Sequence, residues 1–181
     1  MPAYAYVVIL AGTVLWFSPF VARFNFKAPP TVDRRARWGM LLELVAYSML
    51  WQGSFWTRSP ETWQITTSVI FLALANLLSW SGTQALGRQL RLDAAVGSEH
   101  ELIRSGPYHW VRHPIYTSML CVILGTGVIT ASLPMLLVSI LLFGIGTEIR
   151  VRVEDGLLAS RFGEDFNTYR RSTSRYIPLL W

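Results

Sequence analysis

The chain has 181 residues, 52% of them apolar and 15% charged, with a formal net charge of +5. Mean hydropathy is positive, and the apolar residues gather in long runs rather than at core spacing. That pattern places the chain in the membrane class, and the basic charge does not signal nucleic acid, because it falls in the loops between apolar runs.

Eight tryptophans and seven tyrosines fit a chain that meets the membrane–water interface. The first apolar run covers roughly Ala3 to Val21. It lacks a preceding basic region and a following small-residue cleavage site, so it reads as a spanning helix rather than a removed signal. A basic stretch follows with Arg23, Lys27, Arg34, Arg35 and Arg37, broken by Pro29-Pro30. The second run, roughly Trp38 to Trp56, carries Glu43 inside it. An ionisable residue at that depth is a functional candidate. The plainer reading, an interfacial glutamate paired with an arginine such as Arg37, is preferred because it lies near a helix end. The third run, roughly Thr62 to Trp80, holds Asn76, which is expected to hydrogen-bond another helix.

The segment from Ser81 to His113 is too polar to span. Gly82, Gly87, Gly97 and Gly106 punctuate it, which predicts short helical pieces and turns. The fourth run (Ile115 to Ala131) and the fifth (Leu133 to Ile149) are separated by a tight turn and are expected to form an antiparallel hairpin. Gly125, Gly127, Gly144 and Gly146 would allow close helix approach there. The sole cysteine, Cys121, lies in the fourth run and reads as packing. The tail from Arg150 to Arg171 reads as a charged helix with Leu157, Leu158 and Phe162 on one stripe. Gly163 is placed to cap or interrupt it, and Tyr176 to Trp181 is apolar enough to lie on the membrane surface.

The 22–37 loop, the 81–114 segment and the 150–181 tail hold 15 of the 16 Lys and Arg residues. These are every second polar segment of a five-span protein and so share one side, and the positive-inside rule predicts an external N-terminus and a cytoplasmic C-terminus. The fold class is therefore an all-α integral membrane protein with five transmembrane helices. Residues 1–80 carry three of them. Residues 81–181 form a second unit, with a cytoplasmic pocket between the 81–114 segment and the C-terminal helix.

Two motifs meet across the hairpin. Proline disfavours helical backbone in the residue before it and suits the first helical position, so the fourth helix starts at Pro114. Arg112 and His113 then sit at its N-terminus, where exposed amides favour an anion. Gly106-Pro107 is a turn signal just upstream. On the tail, Arg150 and Glu154 share a helix face and Asp155 is adjacent. Either motif alone also fits an ordinary charged loop end; their joint placement favours a ligand pocket.

From His100 onward the chain resembles the isoprenylcysteine carboxyl methyltransferase family and its relatives among membrane phospholipid methyltransferases. The residues that carry the resemblance begin with Leu86-Gly87-Arg88, His100-Glu101-Leu102-Ile103 and Gly106-Pro107-Tyr108. Arg112-His113-Pro114-Ile115-Tyr116 follows, then Arg150, Glu154-Asp155 and Leu157-Leu158. Phe162-Gly163, Tyr169 and Ile177-Pro178 complete the series. The resemblance implies S-adenosylmethionine as methyl donor. It implies cofactor contacts from His100, Leu102, Ile103, Gly106 and Tyr108, and from His113, Pro114, Tyr116 and Glu154, with Asp155 beside them. It makes Arg112 and Arg150 the substrate-side residues; with Glu154 they form the expected catalytic set. Two departures stand out: Asp155 replaces a usual glutamate, and Ser118 a usual glycine.

The implied acceptor is lipid-like or prenylated and reaches the site from the bilayer; no metal is expected. An ionised carboxylate acceptor needs orientation and exclusion of water rather than a strong base. Phospholipid N-methylation is the alternative within the same chemistry. A sterol-reductase-like enzyme that binds NADPH is a further one, and a non-catalytic membrane scaffold stands outside enzymes.

Overall fold

Length and apolar content decide which helices can cross a bilayer. The computed structural model describes residues 1–23, 33–53, 57–91 and 101–178. These contain six α-helices: α1 (Ala3–Arg23), α2 (Ala36–Met49), α3 (Thr62–Leu86), α4 (Pro114–Thr130), α5 (Leu133–Phe162) and α6 (Glu164–Ser172). Helices α1, α3 and α5, with 21, 25 and 30 residues, are long and apolar enough to cross a membrane, since about 20 residues span the hydrocarbon core. The other two apolar helices are shorter, 14 residues in α2 and 17 in α4. His100, Pro29-Pro30, Trp56 and Gly97 lie outside the described residues, as do positions 179–181.

The helices alternate in direction, and their contacts fix the order. Gly82 lies near Pro114 and Ile115, while Gly125 lies against Ser68 and Leu72. Helices α3 and α4 are therefore antiparallel. Gly39 meets Gly146, and Ser139 Oγ donates to the Ala46 carbonyl at 2.8 Å, so α2 and α5 are antiparallel too. Asn76 Nδ2 donates to the Gly12 carbonyl at 3.1 Å and Ser79 Oγ to the Trp16 carbonyl at 2.8 Å, which sets α1 parallel to α3. Asn76 thus makes the expected bond between helices.

Eleven of the 17 residues of α4 are buried, against four of 21 in α1, so α4 is the central helix. Cys121 packs in its core with Ala75 and Val122. Large apolar side chains such as Leu10, Leu44, Leu77 and Leu141 point outward, each more than 60% exposed. A water-facing surface rarely carries so many; lipid would cover them.

Two features differ from expectation. Helix α3 runs past Trp80 to Leu86. Ser81 and Thr83 donate to the carbonyls of Leu77 (2.6 Å) and Ser79 (2.7 Å), four residues back. Their polarity is spent within the helix, so the end of the apolar run does not mark the end of the helix. The expected hairpin of α4 and α5 forms around Ser132, but α4 packs chiefly on α3 and α5 chiefly on α2. Gly163, at φ +54, ends α5 and starts α6.

Three of the four glycines expected at close approaches are at them; Gly144 faces open space. The tightest crossing is Gly39 on Gly146, where an added Cβ on Gly39 would lie 2.3 Å from the Gly146 carbonyl oxygen. Gly39→Ala is expected to destabilise the protein by about 1–3 kcal/mol through overpacking. Gly144→Ala should leave stability within about 1 kcal/mol of the parent or raise it. Thermal unfolding of both variants in detergent tests the pair; equal behaviour would rule out the crossing.

Candidate active site

The site is built around the turn from Ser105 to Pro114. Gly106 takes φ +61, a region that favours glycine, and opens a short 3-10 turn over Gly106–His109. Pro114 begins α4, and His113 before it is non-helical (φ −127°, ψ 60°), as proline requires. The amides of Arg112 and His113, expected to be exposed, are not. Arg112 N–H donates to the Ser174 carbonyl at 2.9 Å and His113 N–H to the Arg175 carbonyl at 3.1 Å. The tail folds back as a short parallel pairing and takes the amides that an anion was expected to use. Nothing in the sequence pattern marked Ser174 and Arg175 for this.

The tail helix is locked from the same turn. Arg112 Nη1 donates to the carbonyls of Arg170 (2.9 Å) and Thr173 at the end of α6, where carbonyls lack intrahelical partners. Tyr169 OH donates to the Tyr108 carbonyl at 2.6 Å. Burial pushes that hydroxyl up to about 12, so it keeps its proton near neutrality. Arg104 Nη2 donates to the Asp165 carbonyl at 3.0 Å.

Charged groups converge beside α4. His113 Nε2 lies 2.9 Å from Asp155 Oδ1, and its Nδ1 lies 3.7 Å from Glu154 Oε2. Arg112 Nη2 approaches the other Asp155 oxygen at 3.9 Å. Desolvation pulls the Arg112 guanidinium below its ordinary value, and Asp155 opposes that shift. Tyr116 OH donates to Glu154 Oε1. Arg150 stands over the Tyr116 ring, 5.2 Å from its centroid, and donates to Glu43 Oε2 at 2.8 Å. Glu43 is 2% exposed and also accepts from Thr147 at 3.1 Å. The preferred reading of Glu43, an interfacial residue beside an arginine such as Arg37, gives way to a buried pair with Arg150. The separation of 107 residues hid that partner.

A cavity of about 260 Å³ opens among these groups. Leu102, Ile103, Tyr108, Arg112, His113 and Tyr116 line it from the turn and α4. Arg150, Glu154, Asp155, Leu157 and Leu158 line it from α5. Gly106 and Pro114 shape the backbone around it, and His100 lies outside the described residues. Sequence reasoning missed Trp16, Phe17 and Phe20 of α1, which close one side. Ser118 explains part of that: its buried hydroxyl accepts from Trp16 Nε1 at 3.0 Å and so ties α1 to α4. Leu90 and Arg91 were also missed. Among the described residues no cluster of His, Cys, Asp and Glu suits a metal ion.

The sequence profile described as phospholipid methyltransferase matches residues 63–165. That range includes every predicted site residue and omits α1 and α2, so Glu43 lies outside it. The chain is 32% identical over 155 residues to the cobalt-zinc-cadmium resistance protein CzcN of Cupriavidus metallidurans, covering 83% of this chain and 66% of that protein. It is 27% identical over 155 residues to the nickel-cobalt-cadmium resistance protein NccN of Alcaligenes xylosoxydans xylosoxydans, covering 83% and 67%. It is 30% identical over 118 residues to the protein-S-isoprenylcysteine O-methyltransferase of Schizosaccharomyces pombe, covering 64% and 50%. The chain thus spans half to two thirds of the length of these relatives.

Arg112 makes two charge-assisted bonds to the end of α6, each worth roughly 1.5–3 kcal/mol. Arg112→Gln is expected to lower amide exchange protection across α6 and Thr173 to Arg175 by more than about tenfold, with α2 and α3 unchanged. Uniform protection across the tail in the variant would refute this anchoring.

Proposed function

Because the chain belongs to the phospholipid methyltransferase family, we propose that it is a membrane methyltransferase that uses S-adenosylmethionine and acts on a lipid-like acceptor. The observation that carries the reading is the convergence of His113, Tyr116, Arg150, Glu154 and Asp155 on one cavity beside the N-terminus of α4. The lining suits this cofactor in kind. Glu154 presents a carboxylate 25% exposed to the cavity side, matched to an amine, ribose hydroxyls or a positive charge. Leu90, Leu102, Ile103 and the rings of Tyr108 and Tyr116 supply flat, apolar walls for a purine.

When bound, S-adenosylmethionine supplies an electrophilic methyl group on a sulfonium. Every other requirement falls on the protein. Leu102, Ile103, Tyr108 and Tyr116 would hold the cofactor, with Gly106 and Pro114 setting the backbone that presents them. Glu154 would fix its polar end, and His113, held by Asp155, would complete that wall. Arg150 is the acceptor-side residue: Glu43 holds its guanidinium in place, and that charge stands beside the reacting centre. Arg112 acts from behind, through Asp155 and α6. The aromatic side chains of α1 exclude water from the reacting centre.

In this reading all five helices α1 to α5 cross the bilayer. The N-terminus is outside, and the site end of the bundle, with the C-terminus, is cytoplasmic. Residues 1–80 supply the first three spans and residues 81–181 the catalytic unit. The leading reading of the acceptor chemistry is carboxyl O-methylation of a prenylated cysteine. Phospholipid N-methylation is the second reading, favoured by one observation: the His113–Asp155 pair at 2.9 Å is a carboxylate-backed imidazole placed to take a proton from an amine.

Calorimetry with S-adenosylhomocysteine on detergent-purified protein tests the site. The parent should bind, and Glu154→Ala and His113→Ala should each weaken binding by about tenfold or more. Unchanged affinity in both would place the cofactor elsewhere. Arg150→Gln should keep cofactor affinity but lower turnover by roughly 10²–10³-fold. Since that variant leaves Glu43 buried and unpaired, Glu43→Gln/Arg150→Gln serves as its folding control.

A further inference from the structure

The cations that line the cavity differ in what they already hold. Arg112 faces Asp155 at 3.9 Å and Arg150 holds Glu43 at 2.8 Å. Each of these guanidiniums has a carboxylate from its own protein. Arg91 is the exception among the described residues. It follows the 3-10 turn Gly87–Gln89 at the end of α3 and lines the same cavity. Its Nε and Nη1 are both buried, and neither has a hydrogen-bond acceptor. The lining carboxylate Glu101 is exposed and makes no ion pair with it. Buried donors on a permanent cation are rarely left unsatisfied, and on a residue that lines a cavity they call for an anionic acceptor from a ligand.

The rest of the lining says what kind of molecule carries that anion. Helices α1 and α3 run parallel, so the end of α1 lies at the same end of the bundle as Arg91. There Trp16, Phe17 and Phe20 face the cavity together with Ile115 and Met119 of α4. The rings of Trp16 and Phe20 are 5.3 Å apart and form a continuous apolar wall. A cavity with such a wall and an unmatched guanidinium suits an amphiphile with an anionic head and an aliphatic chain.

We propose that Arg91 anchors the anionic headgroup of the acceptor, a carboxylate or a phosphate, and so selects anionic over neutral amphiphiles. This rests on the methyltransferase reading for the word acceptor, but the binding preference stands apart from it. Arg91 is a specificity residue here, separate from the groups assigned to the cofactor.

The test is competition against labelled palmitate on immobilised, detergent-purified protein, at about pH 9, where carboxylate and phosphate heads are ionised. Palmitate, hexadecyl phosphate and hexadecanol are the probes, and the parent is compared with Arg91→Gln and Arg91→Lys. The parent should prefer one of the anions to hexadecanol by about tenfold or more. Arg91→Gln should lose that preference, Arg91→Lys should keep part of it, and both should bind S-adenosylhomocysteine like the parent. Preference for palmitate assigns the anion to an acceptor carboxylate, and preference for the phosphate to a phospholipid head. A parent that does not discriminate, or an Arg91→Gln that still does, overturns the proposal. So does an Arg91→Gln that loses S-adenosylhomocysteine instead, since the anion would then belong to the cofactor. If the parent discriminates through Arg91 but never binds S-adenosylhomocysteine, the methyltransferase reading fails and the anchor remains.

Discussion

The contact on which the site depends is the ion pair between Glu43 and Arg150, buried where α2 crosses α5. It exists because Gly39 and Gly146 let the two backbones approach until nothing larger than hydrogen fits between them. At that distance a glutamate one turn along α2 meets both Thr147 and Arg150. Two charges taken from water recover their hydration only with good geometry and further hydrogen bonds. Here Thr147 supplies one such bond, and the Tyr116 ring receives the guanidinium face. The result is a cation held rigid beside the cavity rather than a flexible chain that must be ordered when a ligand arrives.

From this pair the order of construction runs outward. Arg150 and Glu154 are one turn apart, so fixing one fixes the other. Glu154 meets Tyr116, Asp155 meets His113, and both partners belong to the first turn of α4 or the residue before it. Arg112 and the tail then close the arrangement from below. The Glu154–Tyr116 and Asp155–His113 links each join α5 to a residue about 40 positions earlier, across the hairpin.

Much of this was legible in the sequence. The apolar runs gave the helices, because burial in lipid or in a helical core needs length and apolarity that composition displays directly. The 106–116 and 150–158 motifs gave most of the cavity lining, because a short hairpin between them leaves little freedom. What stayed hidden was pairing at long range. Glu43 was visible as an oddity but not its partner, since no spacing in the sequence shows that α2 packs directly on α5. Nothing in the sequence marked the α1 aromatics as cavity lining, and the Trp16–Ser118 bond shows what turns them inward. The end of α3 was misplaced because Ser81 and Thr83 count as polar while their hydroxyls are satisfied locally. The tail pairing was invisible because backbone hydrogen bonds leave no mark on side-chain choice.

That tail pairing has a consequence for how the site comes into being. A chain is made from its N-terminus, and the amides of Arg112 and His113 find their partners only in Ser174 and Arg175. Helices α1 to α5 are therefore all made before the turn between α3 and α4 can take its final shape. This wall of the pocket is completed only once the tail is made.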